Sequence, residues 1–209
     1  MTDSATEPKK YHHGDLRNAL IQAGIEIVRE QGAHNLTLRS VGNKAGVSRT
    51  ALYRHFSCKE ALLAAIAEKG FKILYETTKQ RLEQFHDRPL EAFRESGRVY
   101  FQFAMTEQEY YRVMFNESCA LDPEKYPELH AAGMQTFRQL VETIETCQSS
   151  GDFRAGDTIQ IGLQVWSAVH GLTMLQLDGQ LRSLDITQEQ FFHIGKGVAD
   201  MLVGGLSAL

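Results

Sequence analysis

The stretch AGVSRTALYRHFSCKEALLAA, Ala45 to Ala65, crowds Ser48, Arg49, Thr50, Tyr53, Arg54, His55 and Lys59 into about three helical turns. At helical spacing Leu52 and Phe56 share one face and turn inward. Arg49 with Tyr53, and Thr50 with Arg54, form a separate polar face. Such a face suits recognition. A guanidinium at Arg49 matches the two acceptors on a guanine edge, Thr50 can touch a base or a thymine methyl, and Ala51 is small enough to permit close approach. Tyr53, His55 and Lys59 suit phosphate oxygens, as do Ser48 and Thr37 near helix N-termini. The competing reading is a solvated face on an ordinary helical hairpin.

The elements that would carry these residues read as helix throughout. Leu16, Ala19, Leu20, Ala23, Ile27 and Val28 make an apolar stripe from Asp15 to the stop at Gly32. Thr37 can cap a second helix that ends at Gly46, with Leu38, Val41 and Ala45 on one face. Ser48 caps a third helix reaching about His55. Ser57 and Glu60 form a capping-box pattern that opens a long helix of roughly 58–86. Two short helices pinched around a glycine form a helix-turn-helix pattern, in which Gly46 takes a left-handed backbone and Val47 plugs the angle. Further helices are expected from Pro89 to about Thr106, over 108–116 and over 126–149. Asp157 caps one over 158–178, and Thr187 with Gln190 opens a last one ending near 204. The expected fold is all-α, with about nine helices and no strand. Residues 1–60 form an N-terminal arm and DNA-binding head; residues 61–209 form a larger body.

The segment LTLRSVGNKAGVSRTALYRHFSCKEALLAA resembles the DNA-binding domain of TetR-family transcriptional regulators over about residues 11–65. The matching positions are the first helix ending at Gly32, Thr37, Val41, Ala45-Gly46-Val47-Ser48, Leu52-Tyr53-Arg54-His55-Phe56 and Lys59-Glu60. The resemblance implies a three-helix head, a helical regulatory body, and a homodimer on a palindromic double-stranded operator. Lys9 and Lys10, in the arm before the first helix, suit phosphates or the minor groove in such proteins. WSAVHG, Trp166 to Gly171, resembles a motif in the regulatory domain of one subgroup. A dimer sets its recognition helices about 34–36 Å apart, one turn of DNA.

In the body, TIQIGLQVWSAVHGLTMLQLD is apolar nearly all round and the last helix is similarly rich, so both can pack internally and against a second copy. TetR-like bodies hold a small-molecule pocket. Phe101, Met105, Tyr111, Met114, Phe115, Phe137, Trp166 and His170 are the candidates to line it, with Tyr110, Met134 and Met174 beside them, because aromatic and Met side chains make adaptable apolar walls. Any of them can equally be plain core. Effector binding would move the two heads out of register with one DNA face, releasing a repressor.

Composition narrows the classes. The net charge is −4, yet residues 1–60 carry nine Lys and Arg against six Asp and Glu, whereas the remainder carries thirteen against twenty. A basic piece on an acidic body suits a DNA-binding head. No apolar run is long enough for a membrane span, and the N-terminus has no secretory pattern. Three cysteines, Cys58, Cys119 and Cys147, fit a reducing cytoplasm and form no zinc pattern. Cys58, just after a helix cap, is a candidate redox site or an inert small residue. The sequence contains no nucleophile elbow, P-loop, Rossmann fingerprint or metal cluster, so neither catalysis nor a cofactor is expected. The alternatives to an effector-released repressor are an effector-independent DNA-binding protein and an enzyme acting on a small apolar molecule.

Overall fold

A computed structural model describes residues 13–116 and 122–208. Among these residues nine α-helices follow one another: α1 (His13–Gln31), α2 (Leu38–Lys44), α3 (Arg49–Tyr53), α4 (Lys59–Leu82), α5 (Pro89–Thr106), α6 (Gln108–Met114), α7 (Pro127–Ser149), α8 (Thr158–Leu177) and α9 (Gln188–Leu206). The β structure among them is one isolated bridge, Phe153 to Ser207. The chain separates into two compact units, the first ending at Ile66 and the second beginning at Ala67. Lys9, Lys10 and Cys119 lie outside the described residues.

In the first unit α1 buries Leu20, Ala23, Ile27 and Val28, as its periodicity predicts, but also Ile21 and Ile25. The covered face is therefore wider than a single stripe. Gly24 lets α1 and the start of α4 approach closely, since a Cβ there would stand 2.9 Å from Ile66 Cδ1. Thr37 caps α2 reciprocally with Ser40: the Ser40 amide donates to Thr37 Oγ1 at 3.0 Å, and the Thr37 amide donates to Ser40 Oγ at 3.1 Å. Serine thus does the work usually given to Glu or Gln in this box. The helix closes with Gly46 at φ 66°, while the Val47 amide donates back to the Gly42 carbonyl at 3.0 Å. Ser48 then caps α3 through the Ala51 amide. That helix ends at Tyr53, about two residues before the expected stop at His55. The earlier exit delivers Phe56, 2% exposed, into the core.

In the second unit Pro89 and Pro127 open α5 and α7 at first-turn positions, where a missing amide costs nothing. Asp157 caps α8 by accepting from the Ile159 and Gln160 amides. Thr187 and Gln190 form the expected capping box of α9. Helix α5 is the hub, packing against α6, α7, α8 and α9. One core cluster sets Phe93 edge-on to Phe153 at 5.0 Å, with Ile144, Ile161 and Val203 around them. A second sets Phe101 edge-on to Phe191 at 5.6 Å.

The left-handed turn at Gly46 fixes the angle between α2 and α3, so its conformation should be measurable as stability. Replacing Gly46 with Ala should lower the unfolding free energy by about 1–2 kcal/mol, because a Cβ disfavours that backbone while meeting no neighbour within 4 Å. Urea denaturation checks this; an unchanged midpoint would show that the turn tolerates another conformation.

Candidate nucleic-acid interface and ligand cavity

Helix α3 buries Leu52 and exposes Arg49, Thr50 and Tyr53, with Arg54 just beyond its end also exposed. Ala51 and His55 are half-buried between these groups and the core. The Arg49 guanidinium lies 5.4 Å from the centre of the Tyr53 ring, a cation–π arrangement that holds both side chains on the outer face. Thr37 and Ser48 are exposed N-cap residues, so their amide-rich helix ends are open to an anion. Lys59 donates to the His34 carbonyl at 3.0 Å, which leaves two of its ammonium protons available. Arg39 on α2 and Arg54 are exposed cations not singled out as contacts from the sequence. By contrast, Lys44 is engaged by Glu30 at 2.7 Å and Glu26 at 3.3 Å, and the Glu30 hydrogen bond raises its pKa. Lys44 at the end of α2 is thus neutralised from α1, whereas Arg39, Arg49 and Arg54 stand exposed.

The second unit holds a cavity of about 390 Å³ that is partly open to solvent. Four of the eight lining candidates are in its wall: Met114, Phe115, Phe137 and Trp166. Phe115 and Phe137 each stand 6.1 Å from the Trp166 ring, and Phe71 meets Phe115 edge-on at 5.7 Å. The other four lie outside the lining. Phe101 is committed to the core around Phe191, where Gly195 admits its ring, and Met105 packs on the same cluster. Tyr111 and His170 stand behind the wall. Met134 also lines the cavity, whereas Tyr110 and Met174 do not. The sequence reading missed Phe71, Leu74 and Thr78 from α4, Tyr100 from α5, and Thr136, Gln139 and Thr143 from α7.

A chain of polar rings closes the aromatic end. The Trp166 indole N–H donates to the Tyr100 hydroxyl at 3.3 Å, the Tyr100 and Tyr111 hydroxyls are 2.8 Å apart, and Tyr111 is 2.7 Å from His170 Nδ1. With Nδ1 unprotonated, one direction uses every proton: Trp166 to Tyr100, Tyr100 to Tyr111, Tyr111 to His170. Burial favours the neutral form of each group. It pushes the Tyr100 hydroxyl up to about 12, raises that of Tyr111 further, and lowers the pKa of His170. Arg112 on α6 ties this end to the last turn of α8 by donating to the Leu177 carbonyl and pairing with Asp178 at 3.5 Å. Among the described residues no group of three His, Cys, Asp or Glu side chains is placed to hold a metal. Cys58 is half-buried; Cys147 is buried, and burial raises its thiol pKa to about 11.

The depressed His170 pKa has a defined linkage. Below the ordinary histidine value of 6.5 the unfolded chain takes up a proton that the folded chain resists, so stability falls as pH drops through that value toward the folded pKa. Between pH 7.5 and 5.5 the wild type should lose more stability than His170→Asn, whose amide can still accept from Tyr111. Parallel denaturation curves would show that His170 binds protons equally in both states.

Comparison with known proteins follows this division. Residues 20–66 match the family described as bacterial regulatory proteins, tetR family, and residues 93–195 match the tetracyclin repressor-like C-terminal domain. The HTH-type transcriptional activator FasR of Mycolicibacterium smegmatis is 26% identical over 116 residues, 56% of this chain and 52% of that protein. The tetracycline repressor protein class A from transposon 1721 of Escherichia coli is 43% identical over 51 residues, 24% of each chain. This chain therefore spans about half or less of the curated relatives it matches. A solved structure of a protein of unknown function from Rhodococcus sp. RHA1 superposes with a TM-score of 0.82 at 27% identity, covering 96% of this chain and all of that one. With both of its units matched in this way, the chain belongs to the TetR family of bacterial regulatory proteins.

Proposed function

We propose that the protein is a ligand-responsive transcriptional repressor that binds a palindromic operator as a homodimer and is released by a small-molecule effector. Residues 1–60 supply DNA binding, and residues 61–209 supply effector binding and dimerisation. The observation that carries this reading is the outer face of α3, where Arg49, Thr50 and Tyr53 stand exposed on a capped helix behind a left-handed turn. A helix presented in that way places its first residues against base edges in the major groove. Arg49 and Thr50 read bases, and Ala51 allows the approach. Thr37, Ser48, Tyr53, His55 and Lys59 hold phosphates.

Dimerisation is supported by what α8 and α9 leave uncovered. These helices pack against each other, yet Ile159, Leu163 and Leu175 on α8 and Met201 on α9 are exposed. Covering such residues with the same pair from a second copy builds a four-helix interface about a two-fold axis. The cavity, with its aromatic wall, supports the effector role. The protein binds its effector without turning it over. No helix among the described residues is long and apolar enough to cross a membrane. We place the protein in the cytoplasm, where its operator is.

Selection from random duplex DNA at near-physiological salt should enrich a palindrome with half-sites about one helical turn apart. Arg49→Ala should then cost about 1–3 kcal/mol and relax preference at one base position of each half-site. Failure to enrich any sequence, with and without cell extract, would overturn the operator reading. Separately, Leu175→Glu combined with Met201→Glu should weaken dimerisation at least tenfold, as read by sedimentation velocity; an unchanged dimer would place the interface elsewhere.

A further inference from the structure

The cavity wall carries an unusual polar inventory. Among the described residues no Asp, Glu, Lys or Arg lines it; His130 is the imidazole present and Tyr100 the phenol. An ion seated against this wall loses part of its hydration without gaining a counter-charge. The raised pKa of Tyr100 keeps that hydroxyl from supplying a negative charge either.

The wall hydroxyls are not equivalent. Ser96 donates its proton to the Phe93 carbonyl at 2.7 Å, Thr136 to the Ala132 carbonyl at 3.0 Å, and Thr143 to the Gln139 carbonyl at 2.8 Å. Each thus turns its donor back onto its own helix and keeps only lone pairs for anything else. The Gln139 amide nitrogen reaches the Tyr75 carbonyl at 3.4 Å. Thr78 differs. It is 7% exposed, lines the cavity, and makes no side-chain hydrogen bond among the described residues. Thr78 is not among the side chains sealed from solvent without a partner, so its hydroxyl opens onto the cavity space and its proton is available to whatever occupies that space.

Its position is defined by the neighbouring helix. Thr136 approaches the Phe71 carbonyl and Gln139 the Tyr75 carbonyl, so α4 and α7 ascend in the same direction across the cavity. The next turn brings Thr78 to the level of Thr143. Thr78 lies two helical turns, about 10 Å, along α4 from Phe71, and so away from the aromatic end at Phe71, Phe115, Phe137 and Trp166.

Resting on the effector-binding reading above, we infer that this cavity takes an uncharged, largely apolar molecule that offers a hydrogen-bond acceptor to Thr78 and lays its apolar body against the aromatic end. Charge is rejected because the wall has no means to neutralise it, and the acceptor is oriented because Thr78 is the hydroxyl whose proton is free.

The chain has one tryptophan, and it lies in the wall, so its fluorescence reports occupancy. Full-length protein is titrated at pH 8 with methyl decanoate and with decanoate, a pair alike in chain but differing in charge. The ester should give a saturable change with a Kd at least tenfold below that of the anion. Thr78→Val should weaken ester binding about three- to tenfold with helical content unchanged. Equal or tighter binding of decanoate overturns the charge selectivity, and an unaltered ester Kd in Thr78→Val overturns the role of that hydroxyl. If neither probe binds, direct titrations with 1-decanol and cholesterol, read by the same fluorescence, decide: no occupancy by any neutral probe overturns the effector-binding reading itself, and this inference with it.

Discussion

A fully buried phenol at Tyr111 constrains the second unit more than any other group. Its hydroxyl must find partners, and those partners are Tyr100 on α5 and His170 on α8. A residue of α6 therefore fixes the spacing of two other helices at hydrogen-bonding distance. Apolar packing alone would tolerate small sliding of α5 on α8, whereas a chain of hydrogen bonds between rigid rings has one geometry. The cavity begins where this chain ends, since Tyr100 and Trp166 are both members of the network and part of the wall. The polar chain holds the aromatic end in shape, so that it stays open without being filled by its own side chains.

The first unit solves the opposite problem. Its functional groups must remain outside, on a helix of five residues that has little stability of its own. Anchoring comes from its flanks: the left-handed Gly46, the Ser48 cap, and the burial of Leu52 and Phe56. Electrostatics then select the face. Glu26 and Glu30 occupy Lys44, while Arg49 leans on Tyr53 and carries no carboxylate partner in the described structure. A phosphate-bearing ligand is thus drawn toward Arg49 and the exposed Arg39 and Arg54 rather than toward Lys44.

What was legible in the sequence follows from which constraints are local. The starts of α2, α3, α8 and α9 were readable because Thr37, Ser48, Asp157 and Thr187 cap their own helices, with partners two or three residues away. The end of α3 was not, because it is decided by where Phe56 must go rather than by any breaker residue. The same distinction runs through the cavity. Phe115, Phe137 and Trp166 could be proposed from residue type, but type does not separate them from Phe101, whose ring is claimed by the space above Gly195. Thr78, Thr136, Gln139 and Thr143 look in sequence like parts of solvated faces. They line the wall because α4 and α7, joined where Thr136 and Gln139 reach the Phe71 and Tyr75 carbonyls, together border a void, a fact about assembly with no local signature.

That void gives the wall its chemistry. In a filled core Thr78 would be a liability, a hydroxyl without a partner among apolar side chains. Facing open space it keeps both donor and lone pairs, while its counterparts on α5 and α7 have already surrendered their protons to carbonyls of their own helices. Donors are therefore scarce in this cavity and acceptors plentiful. A guest rich in hydroxyls could satisfy the acceptors but would have to shed more water to enter, against an aromatic surface that returns nothing for polar atoms. A guest with one acceptor and an apolar body leaves little hydration behind and meets a matching surface along most of its length. Selectivity in such a site arises less from what the wall grips than from what it cannot compensate.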